Sequence, residues 1–252
     1  MLFKLSAFTL LSLQLVFSIN AESDSNHAHW GYEGTDGPAK WGLLDPAYAT
    51  CSTGKYQSPI DLTRTSAEII TNESLRINWP NLRTHGLNIT NNGHSLQVNL
   101  PSHTNLTMVR DGVAYRLGQF HIHTPSEHHI FGKYFDMEIH FVMSNPQLNK
   151  NHVVGVVFEA TSKNNKFISQ LSNNRNIPTV AGQSVVIGSL DFQSLFNEIG
   201  NVDEYWAYEG SLTTPPCTEG VRWAVSRNVA QLSWRQLDTL RQVIKFNARF
   251  VQ

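Results

Sequence analysis

Cysteine is almost missing from this 252-residue chain: Cys51 and Cys217 are the only two. One bridge is therefore the most it can form, and a chain of this length buries enough surface to fold without one. Charge of one sign is missing too. Nineteen Lys and Arg stand against 20 Asp and Glu, scattered rather than blocked, for a net charge of −1. That balance gives no support to a nucleic-acid surface or a polybasic membrane patch. No internal repeat, low-complexity tract or long linker divides the chain, so a single domain is expected. At 40% hydrophobic and 15% charged residues the composition is that of a globular protein.

Long apolar runs are also scarce. The first stretch carries Lys4, then an apolar core from Leu10 to Phe17, then Ile19-Asn20-Ala21. The core falls well short of the ~20 residues a bilayer span requires, and Gln14 interrupts it. Residues 1–21 read as a signal peptide and 22–252 as the exported domain, periplasmic or extracellular, with no membrane anchor. An oxidising compartment lets Cys51 and Cys217 bridge. Asn72, Asn88 and Asn105 each begin an N-x-S/T sequon, meaningful only in a eukaryotic secretory pathway.

Residues 22–50 are rich in Gly, Pro, Trp and Tyr without periodicity, and read as an irregular arm packed on a core. Beyond them the signal is strand-like. Leu96, Val98 and Leu100 alternate with polar residues, as in a half-buried strand, just after the hairpin signal Asn92-Gly93. Residues 137–143 and 153–158 are further strands, the second apolar enough for burial on both faces. The clearest helix starts at Ser233, where Ser233 and Gln236 form a capping box and Leu237, Leu240 and Ile244 recur at helical spacing. A mainly β domain with a few peripheral helices is expected.

Histidine is plentiful, with 11 residues. Side chains two apart on a strand share a face, so Gln119, His121 and His123 line one wall, and Glu138 and His140 another. Neighbouring strands would bring three imidazoles together beside Gln119 and Glu138. Three neutral His ligands with a fourth position open is the catalytic arrangement for zinc, and the outer pair suits hydrogen bonds that fix ring tautomers. His27 and His29, in the irregular arm, read as surface. His128 and His129 point to opposite faces if extended, and both cannot enter one site.

These residues resemble the α-class carbonic anhydrases over nearly the whole exported chain. The match runs through His29-Trp30-Gly31-Tyr32, Gln57-Ser58-Pro59-Ile60-Asp61, Asn92-Gly93-His94, Gln119 to His123, Ser126-Glu127-His128, Glu138-Ile139-His140, and Gly210 to Pro216 before Trp223. Cys51 and Cys217 sit where exported, particularly bacterial, members carry a disulfide. The resemblance implies a large, twisted, mostly antiparallel sheet with zinc at the bottom of a conical cleft. It implies reversible hydration of carbon dioxide to bicarbonate and a proton.

By the same resemblance His121, His123 and His140 match the zinc ligands, and Gln119 and Glu138 partners of two of them. Thr213 matches the threonine that orients the attacking hydroxide, and Glu127 the carboxylate that accepts that threonine's proton. Val142, Val153, Leu212 and Trp223 match the apolar wall where carbon dioxide rests, with Thr214 beside it, and His94 the proton shuttle. Phe250 stands where proline is more usual, which leaves the carboxyl-terminal packing open. Two rivals stay in view: a silent binding domain of the same fold, and a zinc hydrolase acting on esters. Monomer and homodimer are both compatible with the sequence.

Overall fold

A computed structural model describes residues 27–71, 75–80, 87–171 and 177–252. The signal-peptide reading and the sequon at Asn72 lie outside these residues; Asn88 and Asn105 are exposed. Five strands come first: β1 (Asp61–Leu62), β2 (Glu68–Thr71), β3 (Arg76–Asn78), β4 (Leu87–Asn91) and β5 (Leu96–Asn99). Then come β6 (Thr107–Arg110), β7 (Val113–His123), β8 (His129–Ile130), β9 (Met137–Asn145) and β10 (Lys150–Thr161). The last are β11 (Ser184–Ile187), β12 (Glu204–Ser211), β13 (Glu219–Ser226) and β14 (Ala230–Ser233). Twelve of them form one sheet with the path β11-β4-β5-β7-β9-β10-β13-β12-β2. Most ladders are antiparallel, as expected, but β10 runs parallel to both β13 and β14, so the centre is mixed.

Strand β10 explains the centre. It is buried without a break from His152 to Phe158. Val154, Val156 and Phe158 enter the large core, while Val153, on the other face, joins a smaller apolar cluster. The large core is closed by helices α3 (Lys166–Leu171), α4 (Phe192–Glu198) and α5 (Trp234–Ile244). Helix α5 begins as its sequence dictates: Ser233 Oγ accepts from the Gln236 N–H and Gln236 Oε1 accepts from the Ser233 N–H. Leu237 and Leu240 are fully buried, each stabilising the fold by about 1.5–3 kcal/mol. Among the described residues no helix is long and apolar enough to cross a membrane.

The Asn92-Gly93 signal does mark a hairpin, between β4 and β5. The last pair is Asn91 with Leu96, so four residues bridge the strands. Asn92 Oδ1 accepts from the N–H groups of His94 and Ser95, and Gly93 takes φ +91°. One expectation needs correction: β5 is not half-exposed. Gln97 is buried, because its face looks into the functional cleft rather than solvent.

The amino-terminal arm carries short helices α1 (Trp41–Leu44) and α2 (Thr50–Thr53). Its own small core is Trp41, Tyr48 and the Cys51–Cys217 disulfide, with Trp30 and Tyr32 packed against it. At the carboxyl end Asn247, Ala248 and Arg249 are buried and Phe250 is half-exposed, so the segment packs despite that unusual residue.

Candidate metal centre

The ladders put the site in two neighbouring rows. In one, Gln97, His121, His140, Gly155 and Val225 stand side by side on β5, β7, β9, β10 and β13. In the next, Asn99, Gln119, Val142, Val153, Trp223 and Tyr208 do the same. Since residues two apart share a face, both rows look into the same cleft. The first brings imidazoles together and the second lays an apolar strip beside them.

His121, His123 and His140 each offer a ligand atom, all within 4.8 Å of one another. The other nitrogen of each ring is occupied. His121 Nδ1 is 2.8 Å from Gln119 Oε1, His123 Nδ1 is 2.8 Å from the Asn247 carbonyl, and His140 Nε2 is 2.8 Å from Glu138 Oε1. Each acceptor fixes a proton on the outward nitrogen and leaves a lone pair on the inward one. Inward-facing His123 Nε2 is buried without a hydrogen-bond partner. Burial lowers the pKa of all three rings, His123 to about 4, so they are held in the neutral form that binds metals. The donor set fits a dication such as zinc.

Glu138 does more than its place beside His140 suggests. Its Oε2 accepts from the N–H groups of Glu127 and His128, and its Oε1 also lies 2.7 Å from His128 Nδ1. Despite full burial its pKa is well below the usual carboxylate range, held there by His128 and His140. The expectation for the adjacent histidines holds: His128 enters this network, whereas His129 packs on Tyr134.

Glu127 is fully buried, and Oε1 accepts from the Arg249 N–H at 2.8 Å. Burial pushes its carboxyl up to about 7, against the pull of His140, the Arg249 N–H and a hydrogen bond from the Thr213 hydroxyl. Thr213 follows β12 in a tight segment closed by Leu212 N–H to Thr218 O and Cys217 N–H to Thr214 O. It is buried, while Thr214 and Leu212 are half-buried. Val142, Val153 and Trp223 form one apolar cluster against which Leu212 packs, and the Trp223 ring stands 4.8 Å from His140.

His94 sits apart, at the cleft's rim. Its ring stacks on Trp30 at 3.7 Å and 6°, with the His29 ring 6.3 Å away. Burial, and secondarily His29, lower its pKa to about 4. His27 and His29 meet Asp45 and Asp36 and stay outside the cluster, as expected of the arm.

Sequence reasoning missed four participants. Asn247 contributes a backbone carbonyl, which has no side-chain signature. Arg249, only 1% exposed, donates to Cys51 O, Gln57 Oε1 and Ser58 O and so ties the arm to the cleft. Gly155 leaves space for Glu138; a Cβ there would stand 3.0 Å from Oε1. Gln97 sits across from His121, in an alternating pattern that imitates solvent exposure.

Residues 36–250 match the family model described as eukaryotic-type carbonic anhydrase. A carbonic anhydrase of Neisseria gonorrhoeae is 35% identical over 240 residues, covering 95% of this chain and 90% of the relative. Among solved structures, the α-carbonic anhydrase of Thermovibrio ammonificans in complex with sulfanilamide superposes with a TM-score of 0.78 at 36% identity. That match covers 89% of this chain and 95% of the other. Dioscorin complexed with ascorbate superposes with a TM-score of 0.77 at 31% identity, covering 89% and 93%.

Proposed function

The chain belongs to the eukaryotic-type carbonic anhydrase family, whose enzymes are lyases, and on that premise we propose a zinc-dependent, reversible hydration of carbon dioxide to bicarbonate and a proton. One observation carries the reading. Three neutral imidazoles, each with its outer nitrogen occupied, converge beside an apolar strip. His121, His123 and His140 would hold the metal. Zinc bound there supplies a nucleophile at neutral pH by lowering the pKa of water to ~7, the general behaviour of carbonic anhydrases.

The chain's own residues do the rest. Gln119, Glu138 and the Asn247 carbonyl hold the ring tautomers. Glu127, its Oε1 held by the Arg249 N–H, would accept the Thr213 hydroxyl proton in its ionised form. Thr213 has one hydroxyl proton; committed to Glu127, its oxygen can only accept, which orients the attacking group toward the wall. Val142, Val153, Leu212 and Trp223 give an apolar, nearly non-hydrogen-bonding substrate a matching surface, with Thr214 at its edge. His94 is the candidate proton carrier. Residues 1–21 are assigned as an export signal and 22–252 as the mature domain, a reading that the disulfide supports.

Metal analysis paired with a stopped-flow carbon dioxide hydration assay tests this. About one zinc per chain is expected, with activity lost to a chelator and restored by zinc. Fully active zinc-free protein would overturn the zinc reading, and ester turnover without hydration would overturn the substrate.

A further inference from the structure

A chain of buried polar groups leads away from His140 and returns to the other side of the cleft. Glu138 Oε1 meets both His140 Nε2 (2.8 Å) and His128 Nδ1 (2.7 Å). His128 Nε2 is 2.6 Å from the Tyr208 hydroxyl, which is 2.9 Å from Ser58 Oγ. Ser58 Oγ accepts from the Ser211 N–H at 3.0 Å, and the Ser58 N–H donates to Ser211 Oγ at 2.9 Å. Ser211 ends β12, and Leu212 and Thr213 follow it directly. Five side chains thus join a candidate metal ligand to the segment carrying the candidate orienting threonine.

The fold keeps space open for this chain at two places. A Cβ at Gly155 would press on Glu138 Oε1, and a Cβ at Gly210 would collide with Ser58 Oγ and crowd the Tyr208 ring. Neither glycine has a positive φ, so close approach rather than backbone freedom accounts for both. Tyr208 is the middle link. Its ring lies parallel to Trp223 at 6.0 Å, which holds the ring in place independently of the hydroxyl. A hydroxyl has one proton and two lone pairs, so it serves both neighbours at once.

We propose that Tyr208 is a positioning residue whose hydroxyl fixes Glu138 on His140 through His128, and fixes Ser211, hence the Thr213 segment, through Ser58. The proposal rests on the zinc reading above. Without the hydroxyl, His128 Nε2 is left buried and unpaired, and the ring can turn away from Glu138. The second link, being separable, should respond separately.

The test is Tyr208→Phe, which keeps the ring, alongside Ser58→Ala, which keeps the Tyr208–His128 contact. Zinc affinity is measured by chelator competition and kcat/KM by carbon dioxide hydration. Loss of a direct outer partner typically costs roughly 10–100-fold in affinity. One step further out, Tyr208→Phe should weaken zinc by roughly 3–10-fold and lower kcat/KM. Ser58→Ala should lower kcat/KM with zinc affinity within twofold of the parent protein. A parent protein that binds no zinc fails the earlier reading. A zinc-binding parent whose Tyr208→Phe form binds equally well overturns only this one. If Tyr208→Phe does not fold, Ser58→Ala decides: an unchanged kcat/KM overturns the proposal.

Discussion

The cleft has two walls, and they hold their side chains by different means. In the β7–β9 wall, His121, His123 and His140 stand on ladder positions, and two of them meet partners two residues away on their own strands. At the rim, His94 is held by stacking on Trp30, whose arm is packed around one disulfide. Ladder geometry fixes a side chain to within the pleat, whereas an arm holds it through a series of packed contacts. The metal wall should therefore be insensitive to damage in the arm, while the rim should not be.

The sharpest break in the comparison is inside the wall. His140→Ala removes a proposed ligand and should abolish tight zinc binding, a larger loss than the roughly 10–100-fold expected for Glu138→Ala. Chelator competition reads both, and equal losses would mean that the two residues form one ligand unit. Next comes Arg249, the strut between arm and cleft. Arg249→Met strands three buried acceptors, Cys51 O, Gln57 Oε1 and Ser58 O. At about 1–3 kcal/mol for each unpaired group, thermal unfolding should show a loss of about 3 kcal/mol or more. A loss near 0.5 kcal/mol, ordinary for a surface substitution, would show that the strut is not one.

Cys51→Ser releases a bridge that spans 166 residues of sequence. Stability should fall by about 2–4 kcal/mol, with zinc affinity unchanged in whatever folds. Weaker zinc binding would erase the distinction between the walls. The sheet's far face gives an effect that grows with acidity. His152 lies buried beside Arg110 (3.1 Å) and Tyr115 (5.4 Å between rings), with Arg222 on the next strand. Burial, then Arg110 and Arg222, lower its pKa to about 3. The folded value lies below the unfolded one, near 6.5. Stability is thus full above 6.5 and declines as pH falls toward 3, by about 1.4 kcal/mol per unit from this group. His152→Gln should flatten that part of the stability–pH curve; an unchanged slope would mean that the ring does not stay neutral.

What is legible in the sequence follows the same division. Alternation alone places Gln119, His121 and His123 on one face, and Glu138 and His140 on another, because strand period is a local property. Register is not local: that Val142, Val153 and Trp223 share a row depends on three strands far apart in sequence. Only the family resemblance points to them as one wall. The Asn247 carbonyl has no residue-type signature at all. Gly155 and Gly210 are legible only once the atoms they make room for are in place. Gln97 misleads because alternation tells two faces apart without telling a cleft from solvent. His128 looks in sequence like one of an opposed pair, yet its face carries the network that ends at Ser211.

The smallest effect concerns His94, and it is where the rim differs most from the wall. A proton carrier works best with a pKa near that of its donor. Stacked on Trp30 and partly buried, His94 has a pKa of about 4. Taking a proton from a group titrating near 7 would then be uphill. If it carries the proton, the ring should serve best away from Trp30 and in solvent. In the proposed reaction proton removal follows the attack step, so it would limit kcat and not kcat/KM. His94→Ala should therefore lower kcat by less than about tenfold, leave kcat/KM unchanged, and respond to imidazole buffer. Trp30→Ala should expose the ring, raise its pKa toward 6.5 and raise kcat in weak buffer, and the double variant should lose that gain. Equal losses in kcat and kcat/KM for His94→Ala, without buffer rescue, would remove His94 from proton transfer. A Trp30→Ala protein with the parent's kcat and pH profile would show that stacking does not restrain the base.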